Sequence, residues 1–173
     1  MYHIRTIPSS SQILAFAESL LPHLGGVSEE CLAKRCSYES MLCSHLQWKV
    51  ASHRYWDCTT DTIDMPIEIK KGHASMWFNK VRYAEILLQI NDATKQPTLT
   101  TVFIYDKIRI KEVLVIETRT LIEYIFGGDK VWAQNIIDDA QRASKNGDTN
   151  HNQLGLSKKK MTSLASCVIT YNP

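Results

Sequence analysis

The sequence predicts an α/β protein of the α+β kind, with a mixed central β-sheet flanked by helices. Three observations carry that expectation: helical periodicity in the N-terminal third, two dense β-branched runs at residues 100–105 and 110–117, and helical patterns on either side of those runs.

The elements follow in order. Ser9, Ser10 or Ser11 caps a first helix through about Leu21, because Ile13, Phe16, Ala17, Leu20 and Leu21 recur at helical spacing. Pro22 and the pair Gly25-Gly26 stop it. Ser28, with Glu29 and Glu30 in the first turn, opens a second helical stretch toward Lys49 or Ser52. It aligns Leu32, Cys36, Glu39, Cys43 and Leu46 along one side, so residues 1–52 read as a helical N-terminal region. At His53 the texture changes: residues 54–58 are short and aromatic, 59–62 are turn-like, and 63–70 alternate as a strand does. The two segments read as a hairpin.

From residue 74 to 89, Met76, Val81, Ala84, Leu87 and Leu88 repeat as in a helix, and Pro97 marks the break that follows. The two β-branched runs are strands joined by a tight turn at Asp106-Lys107. Thr118 or Thr120 caps a short helix over 121–126, Gly127-Gly128 ends it, and 131–143 forms a further helix. Beyond Lys145 the chain is polar and turn-forming, and only residues 167–171 read as a last strand.

With 173 residues, 44% of them hydrophobic, one ordinary globular domain is expected. The net charge of +2 hides an asymmetry: residues 141–173 hold Arg142, Lys145, Lys158, Lys159 and Lys160 against Asp148 alone, net +4, which leaves −2 for the first 140. A basic segment at 144–173 is what a polyanion-binding patch requires, although a solvated tail has the same composition. Five cysteines and no signal-peptide pattern point to a reduced, cytoplasmic protein, and no apolar stretch approaches the roughly 20 residues of a membrane span. Cys31, Cys36, Cys43 and His45 fit no zinc-ligand spacing, so free thiols are expected.

The chemistry concentrates in Ile67-Glu68-Ile69-Lys70. Two residues apart on a strand, Glu68 and Lys70 point to one face while Ile67 and Ile69 point to the other. A carboxylate there can bind a hard cation such as magnesium, and the ammonium can orient an attacking water and stabilise charge at phosphorus. A second carboxylate is needed. Asp57 is the first choice, from the preceding strand of the hairpin, with Asp61 and Asp64 in reserve. Taken alone the tripeptide is weak, since half-exposed strands often alternate apolar and charged residues.

Asp57, ten intervening residues, then hydrophobic-Glu68-hydrophobic-Lys70 resembles the PD-(D/E)XK nuclease signature, in particular that of small type II restriction endonucleases. The helix after the catalytic strand, the two strands beyond it and the polar C-terminal segment fit a PvuII-like order. Trp56 stands where that signature has proline. The resemblance implies a restriction-endonuclease-like fold over residues 1–173 and a site-specific deoxyribonuclease. Asp57, Glu68 and Lys70 would be catalytic, and Mg2+, or Mn2+ in its place, would be held at Asp57, Glu68 and Ile69. It also implies an acid from an upstream helix, Glu39 before Glu18, and leaves open a junction or repair nuclease of the same superfamily. A non-catalytic DNA-binding module is the reading from another class.

Partners follow from the same residues. Lys71, His73, Lys80 and Arg82 are placed to meet phosphates, and Lys158, Lys159 and Lys160 lie beside Asn150, His151, Asn152 and Gln153, whose amides can pair with base edges. Double-stranded DNA is the expected partner, no membrane is, and a palindromic site would make a symmetric homodimer the economical arrangement.

Overall fold

The computed structural model describes residues 1–27, 29–33, 37–60, 65–89, 92, 96–148 and 152–173. Ser28, Cys36, Asp61, Asp64, Asn150 and His151, singled out in the sequence, lie outside them. The described elements run β1 (Tyr2–Thr6), α1 (Ser11–Leu20), α2 (Glu29–Ala33), α3 (Tyr38–His45), β2 (Lys49–Val50), β3 (Cys58–Thr59), β4 (Pro66–Gly72), β5 (Ser75–Asn79) and α4 (Lys80–Leu88). They continue with β6 (Leu99–Tyr105), β7 (Ile110–Glu117), α5 (Thr118–Phe126), α6 (Lys130–Lys145), β8 (Gln153–Ser157), α7 (Lys158–Leu164) and β9 (Cys167–Tyr171).

Seven strands form one mixed sheet in the order β1-β9-β7-β6-β4-β3-β2, in which β4 and β6 are parallel and the other pairs antiparallel. The α+β expectation of a mixed central sheet flanked by helices therefore holds. The remaining strands, β5 and β8, make a separate antiparallel ribbon. Strand alternation divides the core. Ile67, Ile69, Phe103, Val113 and Ile169 pack on one face with Phe16, Leu20, Leu32 and Leu42 of α1, α2 and α3. Val102, Leu114, Ile116 and Val168 pack on the other with α4, α5 and α6, the ribbon and Met161 of α7. Such buried side chains cost about 2–5 kcal/mol each when cut to alanine.

Side-chain caps set most helix starts. Ser10 Oγ accepts from Ile13 N–H, Asn79 Oδ1 from Val81 and Arg82 N–H, Asp129 Oδ1 from Trp132 N–H, and Ser157 Oγ from Lys160 N–H. Gly127, at φ 56°, ends α5 in the left-handed region that glycine enters freely.

Four sequence expectations need correction. Residues 1–52 are not wholly helical, because β1 pairs with β9 and β2 with β3. The second helical stretch, expected to reach Lys49 or Ser52, is described as two helices, and α3 ends at His45. The helix expected from residue 74 begins only at Lys80: Met76 and Phe78 alternate inward on a strand whose partner is far away in sequence. The segment beyond Lys145 holds β8 and α7 in addition to the expected last strand.

Candidate active site

Strand β3 is two residues long, and its pairing with β4 ends at Cys58 opposite Ile67. Immediately before it, the Asp57 N–H donates to the Ile67 carbonyl at 2.9 Å, and Asp57 Oδ2 accepts the Ile69 N–H at 2.7 Å. The carboxylate thus occupies the next rung of a ladder that the backbone has left. An amide and a carbonyl of the same strand residue point to the same side, so the Ile69 carbonyl opens toward Asp57 as well.

On the face shared with α4, Glu68 is 4% exposed. Its Oε1 pairs with Lys70 Nζ, whose side chain is partly buried. Its Oε2 is buried with no hydrogen-bond partner among the described residues. The neighbouring Asp57 carboxyl, when it keeps its proton, is a donor at hand for Glu68, and a cation would take that place once both are ionised. Burial first, and then the Glu68 charge beside it, push the Asp57 carboxyl up to about 7, against the pull of the Ile69 N–H and Lys70. An aspartate that resists ionising beside a second carboxylate is what a divalent cation relieves.

Three residues around this pair had no sequence signal pointing to the site. Tyr83 of α4 is buried, and burial, then the charge of Glu68, hold its phenol well above its ordinary range. Its hydroxyl is next to Thr100, which stands opposite Glu68 in the parallel register. Tyr38 of α3 is raised likewise by burial and Glu39, with Asp57 and Glu68 contributing. Glu85, also on α4, receives both arms of Arg54, at 2.8 and 2.7 Å, and the Tyr55 hydroxyl at 3.0 Å. That clamp fastens the segment leading to Asp57 onto the helix bearing Tyr83, and it explains how an aspartate outside any strand keeps its place. In the sequence, Glu85 is indistinguishable from a solvated helix residue.

The other expected residues are placed variously. Glu39 is half-buried, and its charge acts on Tyr38 and Lys71. Lys71 lies on the sheet face opposite Lys70, donating to the Leu32 carbonyl with its ammonium 4.5 Å from the Tyr38 ring and 5.5 Å from that of Tyr105. His73 is exposed and donates to the Tyr105 carbonyl at 2.6 Å. Lys80 and the exposed Arg82 form the first turn of α4. Asn152 stands just before β8, the exposed Gln153 begins it, and Lys158, Lys159 and Lys160 open α7. Lys158 pairs with Glu112 at 2.8 Å, and Lys160 stands 4.8 Å from the Tyr124 ring.

A hard divalent cation fits the donors at hand. Asp57 and Glu68 supply carboxylate oxygens, one of them orphaned, and Ile69 supplies a carbonyl at the same edge. Among the described residues no group of three or more His, Cys, Asp or Glu side chains converges. Cys31, Cys43, Cys58 and Cys167 are buried and form no disulfide among the described residues, and the His45 ring is bonded to the His23 carbonyl at 2.9 Å. No helix of the described residues is long and apolar enough to cross a membrane. No protein-family model matches the chain, and a search of curated proteins returns no match. The reading of the site therefore rests on its geometry.

Proposed function

We propose that this chain is a divalent-metal-dependent endonuclease that hydrolyses phosphodiester bonds in double-stranded DNA, in the site-specific manner of a type II restriction enzyme. The observation that carries the reading is the contact of two carboxylates, Asp57 and Glu68, one with a buried unpartnered oxygen, beside a lysine two residues along the same strand.

Asp57, Glu68 and the Ile69 carbonyl would hold Mg2+ or Mn2+. When bound there, such a cation would supply positive charge beside the scissile phosphate and make nearby water easier to deprotonate. Asp57 must give up its proton before it can serve as a ligand, and the Ile69 N–H keeps its carboxylate turned to the strand edge. Glu68 Oε1 fixes the Lys70 ammonium, whose remaining donors orient the attacking water and stabilise the negative charge that builds on phosphorus. The water oxygen forms the new P–O bond, the bond to the 3′ oxygen breaks, and a 5′-phosphate and a 3′-hydroxyl result. The helix-borne clamp of Glu85 on Arg54 and Tyr55 holds Asp57 within reach of Glu68 throughout.

Cutting of a palindrome would bring two copies together in a symmetric dimer. Incubation of the purified protein with plasmid and magnesium tests the reading. Discrete fragments that vanish in chelator and in Glu68→Gln are expected. Cleavage confined to branched junctions, or none with magnesium or manganese, would overturn it.

A further inference from the structure

The β5–β8 ribbon has one face for the core and one for solvent. Met76 and Phe78 of β5 face Leu156 and Leu154 of β8, and the four pack into the core. The alternate positions form the outer face: Ser75 opposite Ser157, Trp77 opposite Gly155, and Asn79 opposite Gln153. None of these six is acidic. Cations border the face at both ends, with Lys158, Lys159 and Lys160 beyond Ser157, and Lys80 and Arg82 beyond Asn79.

In the middle of this polar strip stands Trp77, 65% exposed. A Cβ on Gly155 would lie 3.2 Å from its six-membered ring, so one side of the indole rests on glycine backbone and the other looks outward. The ribbon is also tied to the catalytic strand. Gly72 ends β4, and a side chain there would strike Met76 and the Ser75 carbonyl at 2.3 to 2.8 Å, so the strand turns sharply into β5. Lys158 N–H fastens α7 to the same turn through the Ala74 carbonyl at 2.8 Å.

A two-stranded ribbon of this kind fits the major groove, where the only apolar feature of a base pair is the C5-methyl group of thymine, or of a 5-methylated cytosine. We infer that Trp77 is a specificity-determining residue that contacts a pyrimidine C5-methyl group in the major groove. A flat apolar surface between Ser75 and Gln153, with the exposed Lys159 and Arg82 beyond its two ends, has that chemistry. The inference rests on duplex DNA being the substrate.

The test uses the whole chain and two copies of one duplex, amplified with either thymine or uracil, which differ only by the C5-methyl groups. Affinity is measured with calcium in place of magnesium, and cleavage with magnesium. The wild type is expected to favour thymine DNA by about fourfold for each methyl contacted. Trp77→Ala should bind both DNAs at the wild type's uracil level, whereas Gln153→Ala should shift both alike and keep the thymine preference. A wild type indifferent to the methyl group, a Trp77→Ala that keeps the preference, or a Gln153→Ala that abolishes it would overturn the inference. Indifference together with a lower melting temperature of Trp77→Ala would assign the indole to covering Gly155, and association with protein would assign it to a protein contact. Thymine-selective binding without cleavage would leave the inference standing and remove the nuclease reading; cleavage without selectivity would do the reverse.

Discussion

The two faces of strand β4 carry one lysine each, and the two are held in opposite ways. Lys71, among the α1, α2 and α3 side chains, has its ammonium answered by the Leu32 carbonyl and by the faces of Tyr38 and Tyr105. Lys70, on the α4 side, meets a carboxylate whose other oxygen has no hydrogen-bond partner among the described residues. One environment is complete and the other is not. Residues of the same type, one position apart, therefore separate into a fastening for the fold and an equipped but unfinished site.

The largest expected effect breaks this contrast directly. Lys70→Ala should lower DNA cleavage about a thousandfold, and it should also cost stability, because the buried Glu68 carboxylate loses its ion-pair partner. Lys71→Ala should cost on the order of 1–2 kcal/mol of stability and leave cleavage within tenfold of the parent. Cleavage rates and denaturant melts of both variants give the answer, and equal losses of activity would erase the distinction.

Next in size is a pH effect from the strained pair. The Asp57 carboxyl lies at about 7 in the fold against 3.8 as its ordinary value, so between those limits the folded chain holds the proton more strongly. The contribution of Asp57 to stability without metal should be greatest below about pH 4 and be lost as pH rises to 7, by on the order of 2 kcal/mol after allowance for partial solvent access. Asp57→Asn should abolish that slope and be the more stable protein at pH 8, though inactive. Magnesium, which favours the ionised pair, should flatten the wild-type profile. Urea melts from pH 4.5 to 8 in chelator and in magnesium would show it, and a metal-free profile that rises with pH would contradict the geometry.

A smaller effect should come from the clamp. Arg54→Ala is expected to weaken manganese binding about tenfold by calorimetry, with Lys70 chemistry intact at saturating metal. Unchanged affinity would make the clamp a surface pair and no more. Smallest are the cations of α7: Lys159→Ala should reduce the salt dependence of DNA binding by about one counterion, and Lys158→Ala by less, because Glu112 already neutralises Lys158. Anisotropy titrations over a range of salt would rank them.

Most of what proved legible in the sequence is local. The β-branched runs of β6 and β7, the glycine stop after α5 and the serines before α1 each signal within a few residues. Glu68 and Lys70 were legible through the two-residue period of a strand, and Asp57 through the reach of a hairpin. What escaped depends on distant partners. Residues 2–6 become a strand because β9 lies alongside, and residues 75–79 because β8 does; Met76 alone fits a helix as well as a strand. Ser157 was a legible cap for α7, overshadowed by the polar run before it. Tyr83, Tyr38 and Glu85 are brought to the site only by packing of α3 and α4, which no spacing along the chain encodes.

The early end of β3 has a further consequence, concerning how copies of the chain avoid one another. Beyond Ile67, β4 has no paired strand among the described residues on the side that β3 has left, the kind of border that recruits strands from neighbouring molecules. The Asp57 side chain caps it by taking the Ile69 N–H and by setting a carboxylate where an intruding strand would have to lie. The residue proposed to grip a metal is thereby also a guard against self-association. Removing it outright, as alanine would, should therefore favour aggregation in a way that asparagine, which keeps the acceptor, does not.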